Sequence, residues 1–252
     1  MADTDFGVAR VTRPLEGVAE ITMCDEVHRN TFTAELMDAV KRSFALVGDD
    51  ESVRAVVLTG FGNYFAAGST QADLVRMLKG EINFLHLDYF NLPMLCPVPV
   101  VAAMQGHGIG GGFVLGLYAD LAVLGRESVY TTNFMRYGFT PGIGSTYLVP
   151  QKLGAVLGNE MLYTARNYRG DEFAQRGCAL PVVPRADVLE EARKLAASLA
   201  EKPRLSLVTL KQQLTKRQRE ILPGVIQREL EMHDITFRSP EVASNIRELF
   251  GE

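Results

Sequence analysis

Residues 99–120 read PVVAAMQGHGIGGGFVLGLYAD, and the rest of the chain is organised around them. The apolar run from Val98 to Met104 predicts a buried strand. A glycine-dense turn follows (Gly106, Gly108, Gly110, Gly111, Gly112), and then an apolar helix runs toward Tyr118. Glycine at this density lets backbone, not side chain, approach a neighbour closely. A helix that starts in such a turn points unpaired N–H groups at that neighbour, and those groups favour a partly negative oxygen.

Two readings of that oxygen follow. Gly106, Gly108 and Gly111 spell G-x-G-x-x-G between a strand and a helix, with Glu127 roughly where a ribose-binding acid belongs. That fingerprint usually opens its domain, whereas this one sits well inside the chain. The other reading is an oxyanion hole, in which one N–H from this turn and one from a second loop aim at one carbonyl. The second loop should be a small-residue stretch after a strand, and residues 65–70, FAAGST, supply one.

Outward from these loops, residues 7–11 and 18–23 predict a hairpin, and Thr33 an N-cap for a helix carrying Leu36, Met37, Val40, Phe44 and Val47. Residues 54–59, RAVVLT, predict a strand buried on both faces that leads to FAAGST. Helices are expected over 71–79 and 82–92, with Pro93, Pro97 and Pro99 ending the second. Strands at 121–124, 128–130 and 180–183 alternate with helices toward Leu153, over 155–164 and over 171–176. From Ala186 onward only helices are expected, broken at Pro203, Pro223 and Pro240. Strands alternating with helices, then helices alone, imply an α/β core with a helical C-terminal part, divided near Pro203.

Composition narrows the function classes. The 252 residues carry a formal charge of −4, so no basic surface argues for nucleic acid. Cys24, Cys96 and Cys178 show no metal-ligand spacing and predict buried free thiols in a reducing compartment. The first residues, MADTDFGVAR, lack the apolar core of a signal peptide, and no run is long enough to span a membrane. A cytoplasmic protein is expected.

Strand–FAAGST–helix, then strand–GHGIGGG–helix–Asp120, then Pro141-Gly142-Ile143-Gly144, resembles the crotonase (enoyl-CoA hydratase/isomerase) superfamily over nearly the whole chain. The resemblance implies an α/β fold with a crotonase-like ββα spiral core at 1–202. It also implies a C-terminal helical region at 203–252 that covers the site and builds trimers. A thioester carbonyl would sit between the backbone N–H groups of Ser69 and Gly111. Ligands would be CoA or phosphopantetheine thioesters, with no metal and no further cofactor.

The chain departs from the hydratases of this family. Their two catalytic glutamates fall at Val114 and Phe134, which can neither position nor deprotonate water. Among other ionisable groups, Asp120 reads as structural and His107 as a loop hydrogen-bonding residue, while His28 and His86 carry no supporting pattern. His233 is better placed: Ile226, Leu230, His233 and Phe237 form an apolar helical stripe that turns it inward. Lys79 ends the helix after FAAGST, where a lysine usually favours the dipole and faces water, yet its stem is long enough to reach an acyl pocket.

Lys79, His233 and the absent glutamates together resemble the decarboxylases of polyketide β-branching cassettes. These act on 3-methylglutaconyl groups carried on an acyl carrier protein. The resemblance implies that Lys79 and His233 handle the carboxylate and the proton while Ser69 and Gly111 hold a dienolate oxygen. Arg29, Arg76, Arg136 and Lys152 are candidates for a basic patch facing the carrier. An isomerase or hydratase with another acid, and a non-catalytic acyl-thioester binder, are the alternatives.

Overall fold

Apolar alternation along short strands builds two sheets. The structure, a computed structural model, describes residues 3–82 and 89–250, the last two for backbone only. The larger sheet holds, side by side, β1 (Thr4–Asp5), β2 (Ala9–Leu15), β3 (Val18–Met23), β4 (Ala55–Thr59), β6 (Val100–Met104), β8 (Leu121–Gly125) and β11 (Val182–Val183). The smaller runs β10 (Tyr168–Arg169), β9 (Val129–Thr131), β7 (His107–Ile109), β5 (Tyr64–Ala66). The expected hairpin is the antiparallel β2–β3 pair, and β3, β4, β6 and β8 run parallel.

Helices α1 (Ala34–Asp49), α2 (Gln71–Leu78), α3 (Leu92–Leu95), α4 (Gly111–Leu117), α5 (Ser145–Leu153), α6 (Ala155–Thr164) and α7 (Gly170–Gln175) complete the core. Each pass lays one strand in the large sheet and the next in the small one before a helix returns the chain. The passes are β4–β5–α2, β6–β7–α4 and β8–β9–α5, which is the ββα spiral.

Successive residues of a strand face opposite sides. Val57, Val101, Ala103 and Val123 therefore meet α8 (Val188–Ala200), whose Ala192, Ala196 and Ala200 allow close approach. Val56, Leu58, Val100, Ala102, Met104 and Leu124 face the main core, shared with α1, α4 and α5. Thr33 caps α1 as expected, accepting from Leu36 N–H at 3.1 Å.

Several expectations are corrected. The long helix α9 (Arg204–Thr236) runs through Pro223 unbroken, and α10 (Pro240–Phe250) follows it. Pro223 lies on the exposed face of the helix, where its ring does not disturb the packed side. The glycine turn contains a strand, β7, threaded between β5 and β9. Only Cys96 is buried; Cys24 and Cys178 are half-buried, and all three are free. His86 and most of the helix expected over 82–92 lie outside the described residues. Among the described residues, no helix is long and apolar enough to cross a membrane.

Candidate active site

Two loops meet at the N-terminus of α4. The first is held from behind by Asn30, a buried residue in the left-handed region at φ 54°. Its Nδ2 donates to the carbonyls of Met23 (3.0 Å) and Phe65 (3.1 Å), and its Oδ1 accepts from Asp25 N–H (2.8 Å). Ala67 N–H donates to Asn30 O (3.1 Å), and Phe32 N–H to Gly68 O (2.8 Å). FAAGST is thereby anchored on one side.

On its other side lies the glycine turn, backbone against backbone. A Cβ on Gly112 would sit 2.1 Å from Ala66 O, and one on Gly68 (φ +82°) 2.8 Å from Ile109 O. Only glycine permits both contacts. Gly111 opens α4, so its N–H has no acceptor within the helix. Neither Ser69 N–H nor Gly111 N–H donates to a protein acceptor among the described residues. Both residues line a cavity of about 30 Å³ with Asn133, Phe134 and Tyr137. The two loops named from sequence therefore converge.

Val114 and Phe134 are buried, and Phe134 forms part of the cavity wall. Apolar side chains thus occupy both positions at which the family resemblance would place hydratase glutamates.

Lys79 and His233 line a neighbouring cavity of about 540 Å³ between the end of α2 and the last turns of α9, together with Met77, Leu230, Phe237 and Arg238. Phe139 of the small cavity stacks on Phe237 of the large one, centroids 4.6 Å apart, so the pair forms part of the wall between them. His233 meets both rings edge-on. Lys79 caps α2 in an exposed position, its Nζ 3.9 Å from Glu81 Oε1.

His233 is 6% exposed, and its Nε2 lies 2.8 Å from Thr140 O. A carbonyl only accepts, so Nε2 carries the proton. Burial lowers the imidazole pKa, partly opposed by the carbonyls of Thr140 and Pro141. The helical stripe is rotated from the expected one. Leu222, Val225, Glu229 and His233 are buried, while Ile226, Leu230 and Phe237 are only half-buried. Glu229 escaped the sequence reading because a charged residue does not register in an apolar period; its place four before His233 was the available signal.

The remaining candidates have structural partners. Asp120 Oδ2 accepts from Val100 N–H (2.8 Å) and from Lys211 Nζ (2.7 Å). Lys211, 3% exposed and unremarked in sequence, also donates to the carbonyls of Pro93 and Val98. His107 Nδ1 accepts from Val129 N–H, and His28 Nδ1 contacts Asp25. The dinucleotide reading fails: Glu127 accepts from Arg185 N–H, and Gly106 packs so closely on the Tyr64 backbone that a Cβ added to it would lie 2.5 Å from Tyr64 N and C. Of the basic candidates, Lys152 turns inward to the carbonyls of Ala119 and Asp120, and Arg76 pairs with Asp73 and Glu81. Arg29 lies over the Tyr64 ring, and Arg136 is exposed.

The comparisons with known proteins agree with this fold. The Enoyl-CoA hydratase/isomerase family model matches residues 14–249. The chain is 50% identical over 234 residues to the Bacillaene synthase decarboxylase PksI of Bacillus subtilis (strain 168), covering 93% of this chain and 94% of that one. It superposes with TM-score 0.95 on a structure from a dehydratase/decarboxylase enzyme couple involved in polyketide β-branching, at 48% identity over 97% of this chain and 96% of that one. The ECH2 decarboxylase domain of CurF from Lyngbya majuscula gives TM-score 0.92 and 44% identity, covering 96% of this chain and 99% of the other. With both loops, the spiral and the matched family model in agreement, the chain belongs to the enoyl-CoA hydratase/isomerase (crotonase) family.

Proposed function

We propose that this protein decarboxylates a 3-methylglutaconyl thioester carried on an acyl carrier protein, in polyketide β-branching. The observation that carries the reading is the pairing of Lys79 and His233 on one cavity beside the Ser69–Gly111 loops, where Val114 and Phe134 remove the hydratase acids. Half-identity to PksI over nearly the full length supports it.

In the proposed reaction, the thioester oxygen lies between Ser69 N–H and Gly111 N–H. The bond to the carboxylate breaks, carbon dioxide leaves, and the electron pair flows through the conjugated double bond into a dienolate on that oxygen. Removing one oxyanion donor typically raises such a barrier by about 3–4 kcal/mol. Lys79 and His233 hold the carboxylate and supply the proton that quenches the dienolate carbon, with burial disfavouring the charged form of His233. An ion pair alone would stabilise the ground state as well. The walls of Met77, Leu230 and Phe237 oppose this by leaving the carboxylate poorly solvated. The product is a 3-methylcrotonyl thioester or its double-bond isomer.

On this reading, phosphopantetheine brings the substrate and no separate cofactor takes part. The protein works in the cytoplasm as a homotrimer, and the division at 202/203 separates the spiral core from helices that cover the site and mediate assembly.

The test is the intact mass of 3-methylglutaconyl carrier protein before and after incubation, with the CoA ester alongside. Loss of carbon dioxide on the carrier supports the reading, and Lys79→Ala or His233→Ala should abolish that loss in a folded protein. Unchanged mass or a gain of water would favour the isomerase or hydratase alternative. Binding without turnover would favour a non-catalytic role.

A further inference from the structure

The inner face of α9 grips the 140–146 loop with three side chains at helical spacing: Glu229, His233 and Thr236. Glu229 is 1% exposed, and its carboxylate accepts from Gly144 N–H (2.6 Å), Thr146 N–H (2.9 Å) and Thr146 Oγ–H (2.5 Å). Thr236 Oγ1 lies 3.3 Å from Thr140 N and 3.2 Å from Thr140 Oγ1, while His233 Nε2 meets Thr140 O between them. Both ends of the loop are thus tied to one helix.

The loop needs such ties. Ile143 is β-branched yet held at φ 57°, and Gly144 follows at φ 80°. A β-branched residue keeps that conformation only where its surroundings over-determine it. Here Tyr118 Oη donates to Ile143 O at 2.8 Å, and Glu229 holds the next two free N–H groups at the start of α5. A carboxylate is the matching group there, since every neighbour donates to it and the helix N-terminus favours negative charge. Burial raises the Glu229 pKa, so the carboxylate is kept by geometry at an expense in solvation.

We propose that Glu229 is a positioning residue. By fixing the 140–146 loop it sets the Thr140 carbonyl against His233 Nε2, and so imposes both the tautomer and the orientation of that imidazole in the cavity. Thr236 assists by holding the Thr140 end. The proposal rests on the reading of His233 as a member of the reacting pair for its effect on turnover, but not for its effect on the imidazole.

The experiment is Glu229→Gln in the full chain, followed by nitrogen NMR of labelled histidine and by turnover of 3-methylglutaconyl carrier protein. Glutamine keeps the shape but turns an NH2 or a single carbonyl toward donors that need two acceptor oxygens. The expected result is a folded protein whose His233 resonances, assigned by their loss in His233→Gln, no longer show a fixed Nε2–H tautomer. With it, kcat should fall by about tenfold or more while KM stays within about twofold. Thr236→Val, which removes only the hydroxyl contacts to Thr140, should shift the same resonances by less and serves if Glu229→Gln does not fold. Histidine resonances identical to wild type in the folded variants would overturn the proposal. A fixed tautomer lost in Glu229→Gln, in a wild type without decarboxylase activity, would uphold the clamp and refute only the assigned reaction.

Discussion

Gly112→Ala tests the claim that the two loops are held in register by backbone contact. The added Cβ would lie 2.1 Å from Ala66 O, 2.6 Å from Ala66 C and 2.8 Å from Ala66 Cβ, whereas real Cβ contacts begin near 3.0 Å. All three atoms belong to the first loop and none ends a flexible side chain. The loops must therefore separate by about 1 Å, a displacement of the size that costs about 10²-fold when it misplaces a reacting group. Gly111 and Ser69 lie next to the displaced segments, so at least one N–H of the proposed oxyanion hole is misplaced. We expect a drop in single-turnover decarboxylation on the order of 10²–10³, the effect of one lost donor. Overpacking should lower stability by about 1–3 kcal/mol, leaving the circular dichroism spectrum unchanged at 25 °C. Gly48→Ala in α1 is the control, because its Cβ would meet only Pro97, at 3.5 Å and beyond, and should leave turnover intact. Turnover in Gly112→Ala within about twofold of the control would refute the geometry, since a lost donor cannot be that mild.

Other expectations concern stability. Lys211→Met leaves two backbone carbonyls short of a donor and Asp120 without its buried cation, so unfolding in urea should reveal a loss of about 3–5 kcal/mol; a loss below about 1 kcal/mol would show that the pair is not needed to dock α9. His233 has a folded-state pKa below its unfolded value of about 6.5. As pH falls below that value the unfolded chain takes up a proton that the folded one refuses, so this contribution to stability is present at higher pH and is lost on acidification toward the folded pKa. His233→Gln should flatten that part of the pH–stability curve, and an unchanged slope would contradict the burial.

The local chemistry of the two loops was legible in the chain. Glycine clusters, FAAGST, the PGIG turn and the Thr33 cap declare themselves because each depends on residues adjacent in sequence. Strand alternation and helical period likewise predicted an α/β core with a helical C-terminal part, while the ββα order and the loss of the hydratase acids at Val114 and Phe134 were legible only through the family resemblance. Tertiary structure decided what holds these pieces in place. Asn30 reaches Phe65 across 35 positions, Glu229 reaches Gly144 across 85, and Lys211 reaches Asp120 across 91. Such pairings leave no periodic trace, because a buried polar residue is favoured only once its distant partners are present. Pro223 marks the same limit, since a local rule against helix was outweighed by the packing of α9 along its whole inner face. The sequence by itself pointed to the two glycine-bearing loops that converge; only the folded chain determined that Lys79 and His233 line one cavity, and that a carboxylate in α9 holds the loop against which the histidine is set.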